Sequence, residues 1–301
     1  MSEQRRGLVF GVLAYSIWGM FPLYWPLLQP SSAEEILAHR IVWSLLACLV
    51  LLVAVRGGAR IRALGRDPRR AAALAAAALL IAVNWYVYIW AVNHGHVVES
   101  ALGYFVNPLI AVLLGVMVLG ERLRRAQWVA VGVSILAVVV LTVDYGRPPW
   151  IALVLAVSFG TYGLLKKVAA MPAVEGLTVE TLVLVLPAAA YLGWLASSGT
   201  STFGGAGVGH AVLLATTGVI TAVPLLCFAG AANRLPLSTL GLVQYLTPVL
   251  QFLLGITVFH ETMPPARWAG FALVWLALAV FTVEAVRYQR RSMRVAVDSI
   301  A

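Results

Sequence analysis

Between residues 7 and 286 the chain is an almost unbroken succession of apolar stretches, divided only by short charged or Gly/Pro-rich breaks. Each stretch is near the ~20 residues that a helix needs to cross the hydrocarbon core of a bilayer. Inside hydrocarbon every backbone N–H and C=O must be satisfied within its own segment, which leaves the helix as the form these stretches can take. With 61% hydrophobic and 11% charged residues, the chain has too little polar surface to cover a water-soluble globule of 301 residues. It is read as an all-α integral membrane protein with no room for a soluble domain.

The breaks predict ten spans, at 7–28, 34–55, 71–93, 99–119, 126–143, 149–167, 176–196, 210–231, 238–259 and 265–286. The basic residues test that number, because Lys and Arg accumulate on the cytoplasmic side. With a cytoplasmic N-terminus, one side holds Arg5, Arg6, Arg56, Arg60, Arg62, Arg66, Arg69, Arg70, Arg122, Arg124 and Arg125. Lys166, Lys167, Arg234 and the tail arginines 287, 290, 291 and 294 join them, making 18 of the 21 basic residues. Arg147 and Arg267 fall near outer loops, and Arg40 lies inside a span. One helix more or fewer would scramble this separation, so both termini are expected in the cytoplasm, with the chain multi-pass in the membrane.

The net charge of +9 is dispersed in clusters between spans, which argues for topology signals and against a nucleic-acid surface. Arg5-Arg6 before an apolar run is reminiscent of a signal peptide, but the run is long, rich in Trp and Tyr, and lacks a small-residue cleavage site. It is read as a retained first helix. Cys48 and Cys227 lack the spacing of metal or redox pairs and are expected to be small buried hydrophobes.

A shift of 140 residues aligns the two halves without a gap from the third helix of each onward. Asn93 falls on Asn233, Pro108 on Pro248, Leu113-Leu114-Gly115 on Leu253-Leu254-Gly255, Glu121 on Glu261 and Trp128 on Trp268. Matching Asn, Pro, Glu and Trp in one register exceeds what apolar composition gives by chance. The first repeat is assigned to 7–143, the second to 149–286, and a basic cytoplasmic tail to 287–301. Each repeat holds five spans, an odd number, so the second enters the membrane from the side opposite to the first. The loops agree: Glu121-Arg122-Leu123-Arg124-Arg125 is basic, whereas Glu261-Thr262-Met263-Pro264-Pro265 has no arginine. Inverted repeats let one fold open alternately to either side around a site near the midplane.

Polar residues on spans should face a cavity or another helix. Ser100, Tyr104 and Asn107 share one face of the fourth span, and Gln244, Thr247 and Gln251 one face of the ninth. Pro108 and Pro248 adjoin these stripes, and Pro224 lies on the eighth span beside Thr217 and Thr221; all three prolines are expected to kink their helices. The expected cavity lining is His39, Arg40 and Trp43 from the second span, Asn84, Trp85 and Tyr88 from the third, then Tyr104, Asn107, Thr221, Gln244, Tyr245, Thr247 and Gln251. Trp18 and Tyr162 are candidates for further aromatic walls. The competing reading makes the polar residues interhelical glue, worth about 0.6 kcal/mol per bond. For Arg40 the alternative is snorkelling to the outer interface to pair with Glu34, Glu35 or Glu99.

Four segments resemble the EamA-type drug/metabolite transporter superfamily and, within it, the RarD group: GVLAYSIWGMFPLYW at 11–25, EILAHRIVWS at 35–44, NWYVYIWAVNHGHVVESALGYFVNPL at 84–109 and PLSTLGLVQYLTPVLQFLLG at 236–255. The resemblance covers residues 7 to 286. It implies the drug/metabolite transporter fold, ten helices as two inverted five-helix repeats, with a central cavity for small organic solutes such as amino acids, metabolites or drugs. One departure is His260, where the family commonly has glycine before the glutamate.

The expected activity is therefore secondary transport of a small organic solute by alternating access, not catalysis. No GxxxxGK[ST] phosphate loop is present, and intramembrane carboxylates are expected to be few for a membrane enzyme acting on a lipid-linked substrate. A channel would need pore-lining rings but not inverted halves. His94 and His96 are the nearest metal-like pair and are expected to be solvated in an outer loop, so neither metal nor cofactor is expected. The expected partners are the solute, membrane lipid and a coupling proton or ion, with no nucleic acid; nothing in the sequence specifies an oligomeric state.

Overall fold

The computed structural model describes residues 2–119 and 123–298. The helices are α1 (Glu3–Gly19), α2 (Phe21–Tyr24) with a 3-10 turn over Trp25–Leu28, α3 (Ala33–Ala54), α4 (Gly58–Leu64), α5 (Pro68–Asn93), α6 (Val97–Leu119), α7 (Arg125–Tyr145), α8 (Trp150–Ala169), α9 (Ala173–Ser197), α10 (Val208–Ala232), α11 (Leu237–Val243), α12 (Leu246–Thr257) and α13 (Pro265–Asp298). Among the described residues nine helical segments are long and apolar enough to span a membrane, and α1 with α2 and the turn after it supplies a tenth. The start signals work as capping predicts: Ser32 Oγ accepts the N–H of Glu35 at α3, and Asp67 accepts that of Arg70 at α5, with Pro68 in the first turn.

Prolines accompany breaks in two of the spans, and the chain end departs from the sequence expectation. The first span bends by 44° at its break. Pro22 has no N–H to offer the carbonyl of Trp18, and Gln251 Nε2 donates to that carbonyl instead, at 3.3 Å. The ninth span is split in the same way. Pro248 leaves the Gln244 carbonyl without its helical donor, and the N–H of Thr247 fills in at 3.2 Å as the chain passes from α11 to α12. Pro108 and Pro224 lie within α6 and α10, which continue through them. The segment expected as a tail after residue 286 continues α13 to Asp298, since no Gly or Pro interrupts it there. The arginine-rich break at 56–70 forms α4, and Lys166 and Lys167 belong to the last turn of α8.

Helix packing follows the 140-residue shift. The contact of α6 with α8 is mirrored by α12 with α1, that of α5 with α8 by α10 with α1, and that of α3 with α10 by α9 with α5. The remaining major contacts, α3 with α9, α6 with α12 and α7 with α13, each join a helix to its own counterpart. A two-fold relation between halves imposes such a pattern. The two largest apolar clusters lie around Leu102, Phe105, Leu141 and Phe271 and around Trp25, Ile36, Ile89 and Leu214. Val50, Val53, Leu79, Met117 and Leu186 point outward, as a lipid-facing surface requires.

Ion pairs lie toward both ends of the bundle. At one end Arg147 pairs with Glu99 and Arg267 with Asp144, both at 2.9 Å. Toward the other, Arg60 pairs with Glu175, Arg124 with Glu284 and Arg234 with Glu3. Glu261 accepts the backbone N–H groups of Val97 and Val98, closing the start of α6. Its repeat equivalent Glu121, with Arg122, lies outside the described residues. His260 before it adopts φ +52°, a left-handed conformation that costs a residue with a Cβ about 1 kcal/mol relative to glycine. His260→Gly is accordingly expected to raise the melting temperature of the detergent-solubilised protein, equivalent to about 1 kcal/mol of added stability.

Candidate functional site

Arg40 sits two turns into α3 on the face that also buries Ile36 and Ser44, so helical spacing carries its long side chain into the bundle. It is 4% exposed. Its Nε donates to Thr221 Oγ1 of α10 at 3.1 Å, and that hydroxyl donates onward to the carbonyl of Thr217, which leaves its lone pairs for the arginine. The guanidinium carbon stands 3.9 Å from the ring centroid of Trp85, 5.1 Å from that of Trp25 and 5.7 Å from that of Phe21. A charge at mid-span costs about 3 kcal/mol on insertion scales, and a desolvated cation–π contact returns about 2.

The three carboxylates open to Arg40 in the snorkelling alternative are engaged elsewhere. Glu34 accepts from Tyr86, Glu35 from Ser201 and the N–H of Thr202, and Glu99 pairs with Arg147. Among the described residues no carboxylate forms an ion pair with Arg40.

A buried polar chain adjoins it. Asn84, one helical position before Trp85 on α5, donates through Nδ2 to the Leu155 carbonyl (3.1 Å) and Ser158 Oγ (3.0 Å) of α8, while its Oδ1 accepts from Tyr104 OH of α6 (3.2 Å). The Tyr104 ring meets Tyr88 edge-on at 5.6 Å, and Tyr88 OH accepts from Gln251 Nε2 of α12 at 2.8 Å. Gln251 Oε1 is buried without a partner among the described residues. Arg40, Asn84, Trp85, Tyr88, Tyr104, Thr221 and Gln251 thus form one connected group, drawn from both halves of the chain.

The other candidates lie apart from it. His39 stacks on Phe203 at 4.8 Å, Trp43 tilts against the same ring at 6.3 Å, and among the described residues His39 Nε2 and Trp43 Nε1 are buried without partners. Beside them is a cavity of about 510 Å³ lined by His39, Leu192, Gly193, Ala196, Ser201 and Phe203. Asn107 faces Gly160 of α8, its Oδ1 unpartnered among the described residues. Gln244 is half-buried at the α11–α12 break, and Tyr245 packs on the α6–α7–α13 core. Thr247 donates its hydroxyl to the Tyr15 carbonyl at 2.8 Å. His94 and His96 both stack on Trp90.

Sequence reading passed over another buried charged group. Glu180 of α9 is fully buried, held by Lys166 Nζ at 2.6 Å and Tyr162 OH at 3.1 Å. It lies inside a predicted span, so the reasoning that singled out Arg40 should have found it. Phe21 and Trp25 were likewise missed as walls for Arg40, because they reach it from a different span.

Comparison with known proteins places this architecture. A family model described as the EamA-like transporter family matches residues 5–143. "Protein RarD" of Streptomyces exfoliatus is 60% identical over 97% of this chain and 92% of its own. "Protein RarD" of Escherichia coli K12 is 43% identical over 97% and 99%. A protein of Bacillus subtilis named "Uncharacterized transporter YojE" is 42% identical over 97% and 98%. A solved crystal structure, 19% identical, superposes with a TM-score of 0.60 over 94% of this chain and 98% of its own, a likeness of fold. With the helices, their packing and these relatives together, the chain is a multi-pass membrane transporter protein belonging to the RarD group of the EamA-like family.

Proposed function

We propose that this chain is a secondary carrier that moves a small organic solute across the bacterial cell membrane by alternating access, with both termini in the cytoplasm. The observation that carries the reading is the buried polar and aromatic group around Arg40, Asn84, Tyr104 and Gln251, assembled from both halves where helices meet in two-fold-related pairs. A site between inverted halves is exposed to one side or the other as the halves rock. The segregation of 18 of 21 basic residues supports the orientation, and a coupling proton or ion would supply the driving force.

The test is uptake into proteoliposomes of labelled amino acids and amphipathic drugs, with and without a proton gradient. Tyr104→Phe and Gln251→Ala, which remove two polar groups of that connected site, are each expected to slow uptake of every substrate about tenfold, the effect of losing one or two hydrogen bonds to the solute, with normal insertion. Full activity in both variants would remove these two residues from the solute's path.

A further inference from the structure

We propose that Arg40 is the anchor for the carboxylate of a monoanionic organic solute, its guanidinium fork binding the two oxygens while Trp85 backs one face. The proposal rests on the carrier reading and names the substrate class of that site.

The first argument is charge. Arg40 is buried and permanently cationic, yet none of the described carboxylates pairs with it, and Glu34, Glu35 and Glu99 all have partners of their own. A structural arginine inside a span normally pairs with an acid or backbone carbonyls; here the aromatic cage and a single hydroxyl stand in their place. A bound monoanion would make the site neutral. A dianion would leave a net negative charge in low dielectric, a cation would be repelled, and a neutral solute would leave the guanidinium as it is.

The second argument is geometry. Arginine carries five N–H donors in a planar fork, and the contact to Thr221 uses Nε alone. The two terminal nitrogens make no hydrogen bond among the described residues, so the edge suited to bidentate carboxylate binding is free. Trp85 at 3.9 Å covers one face of the guanidinium, which directs an anion into its plane. The Tyr88 and Tyr104 rings on the neighbouring helices offer apolar surface and hydroxyls for the rest of the solute. Thr221, itself held by the Thr217 carbonyl, fixes the fork's orientation as a positioning residue.

The experiment uses the purified full chain in lipid nanodiscs. Binding of acetate, lactate, benzoate, phenylacetate and N-acetylphenylalanine is measured against the amide of each, with inorganic phosphate and chloride as further probes. At least one carboxylate is expected to bind about thirtyfold or more tighter than its amide. Arg40→Gln should erase that preference, Arg40→Lys should keep only part of it, and Thr221→Val should weaken it severalfold. If no carboxylate outbinds its amide, or phosphate outbinds them all, the proposal is overturned; this comparison needs no variant to fold.

Transport separates the two readings. A neutral solute carried equally well by wild type and Arg40→Gln would overturn the anion site and leave the carrier standing. A carboxylate that binds through Arg40 but is never moved in proteoliposomes would overturn the carrier and leave the site.

Discussion

Replacing Gly218 with alanine is expected to destabilise the protein by about 3 kcal/mol or more, because the added methyl would overlap the backbone carbonyl of Trp43. Gly218 lies on α10 where it crosses α3, and the obstructing atom is main chain, which cannot rotate aside. The helices would have to separate, and the Arg40–Thr221 contact spans the same crossing. Close approach of backbones at small residues is how membrane helices gain contact without a hydrophobic driving force. Gly132→Ala and Gly163→Ala are the controls, since a Cβ at either meets nothing within 4 Å. They should be neutral or raise stability by up to about 1 kcal/mol. Melting temperatures in detergent check the contrast; equal effects at all three positions would contradict the α3–α10 packing.

The second large effect is one of pH. Burial raises the Glu261 carboxyl from 4.5 to about 7, against the opposing pull of the Val97 and Val98 N–H groups that it accepts. A raised acid binds its proton more tightly in the folded protein, so its contribution to stability is fully present below about 4.5 and is lost as pH rises through 7. The span between those values corresponds to at most roughly 3 kcal/mol. Glu99, Asp144, Arg147 and Arg267 surround this end of the bundle. Burial also lowers the nearby His96, which gives a slope of opposite sign. Both backgrounds cancel in the difference between wild type and Glu261→Gln, which keeps an acceptor for α6 without a titrating proton. Wild type is expected to lose stability relative to that variant between pH 5 and pH 8, and identical profiles would show that Glu261 does not titrate there.

What the sequence revealed and what it hid divide along physical lines. Span length is a one-dimensional signal, so ten spans were readable, although the third was placed from 71 whereas α5 already starts at Pro68 behind the Asp67 cap. The 140-residue repeat aligned residues whose helices pack in two-fold-related pairs. Bends were harder. Pro22 and Pro26 were visible, but whether a proline breaks a helix depends on what satisfies the freed carbonyl, and for Trp18 that group is Gln251, 233 residues away. Side-chain partners were harder still. Spacing put Thr247 and Gln251 on one face, but only packing brings the first onto the Tyr15 carbonyl and the second onto Tyr88. Glu180 was legible as a carboxylate within a span; its pairing with Lys166 needed the α8–α9 geometry.

The central claim, a carrier whose interior site is reached from one side at a time, is tested most directly by solute counterflow. Proteoliposomes loaded with a high concentration of an unlabelled substrate, then diluted into a trace of the labelled one without any ion gradient, should accumulate label transiently above its external concentration. Saturable overshoot of this kind is what alternating access predicts. Label that merely equilibrates, at a rate indifferent to the unlabelled solute inside, would contradict it and point to a continuous pore.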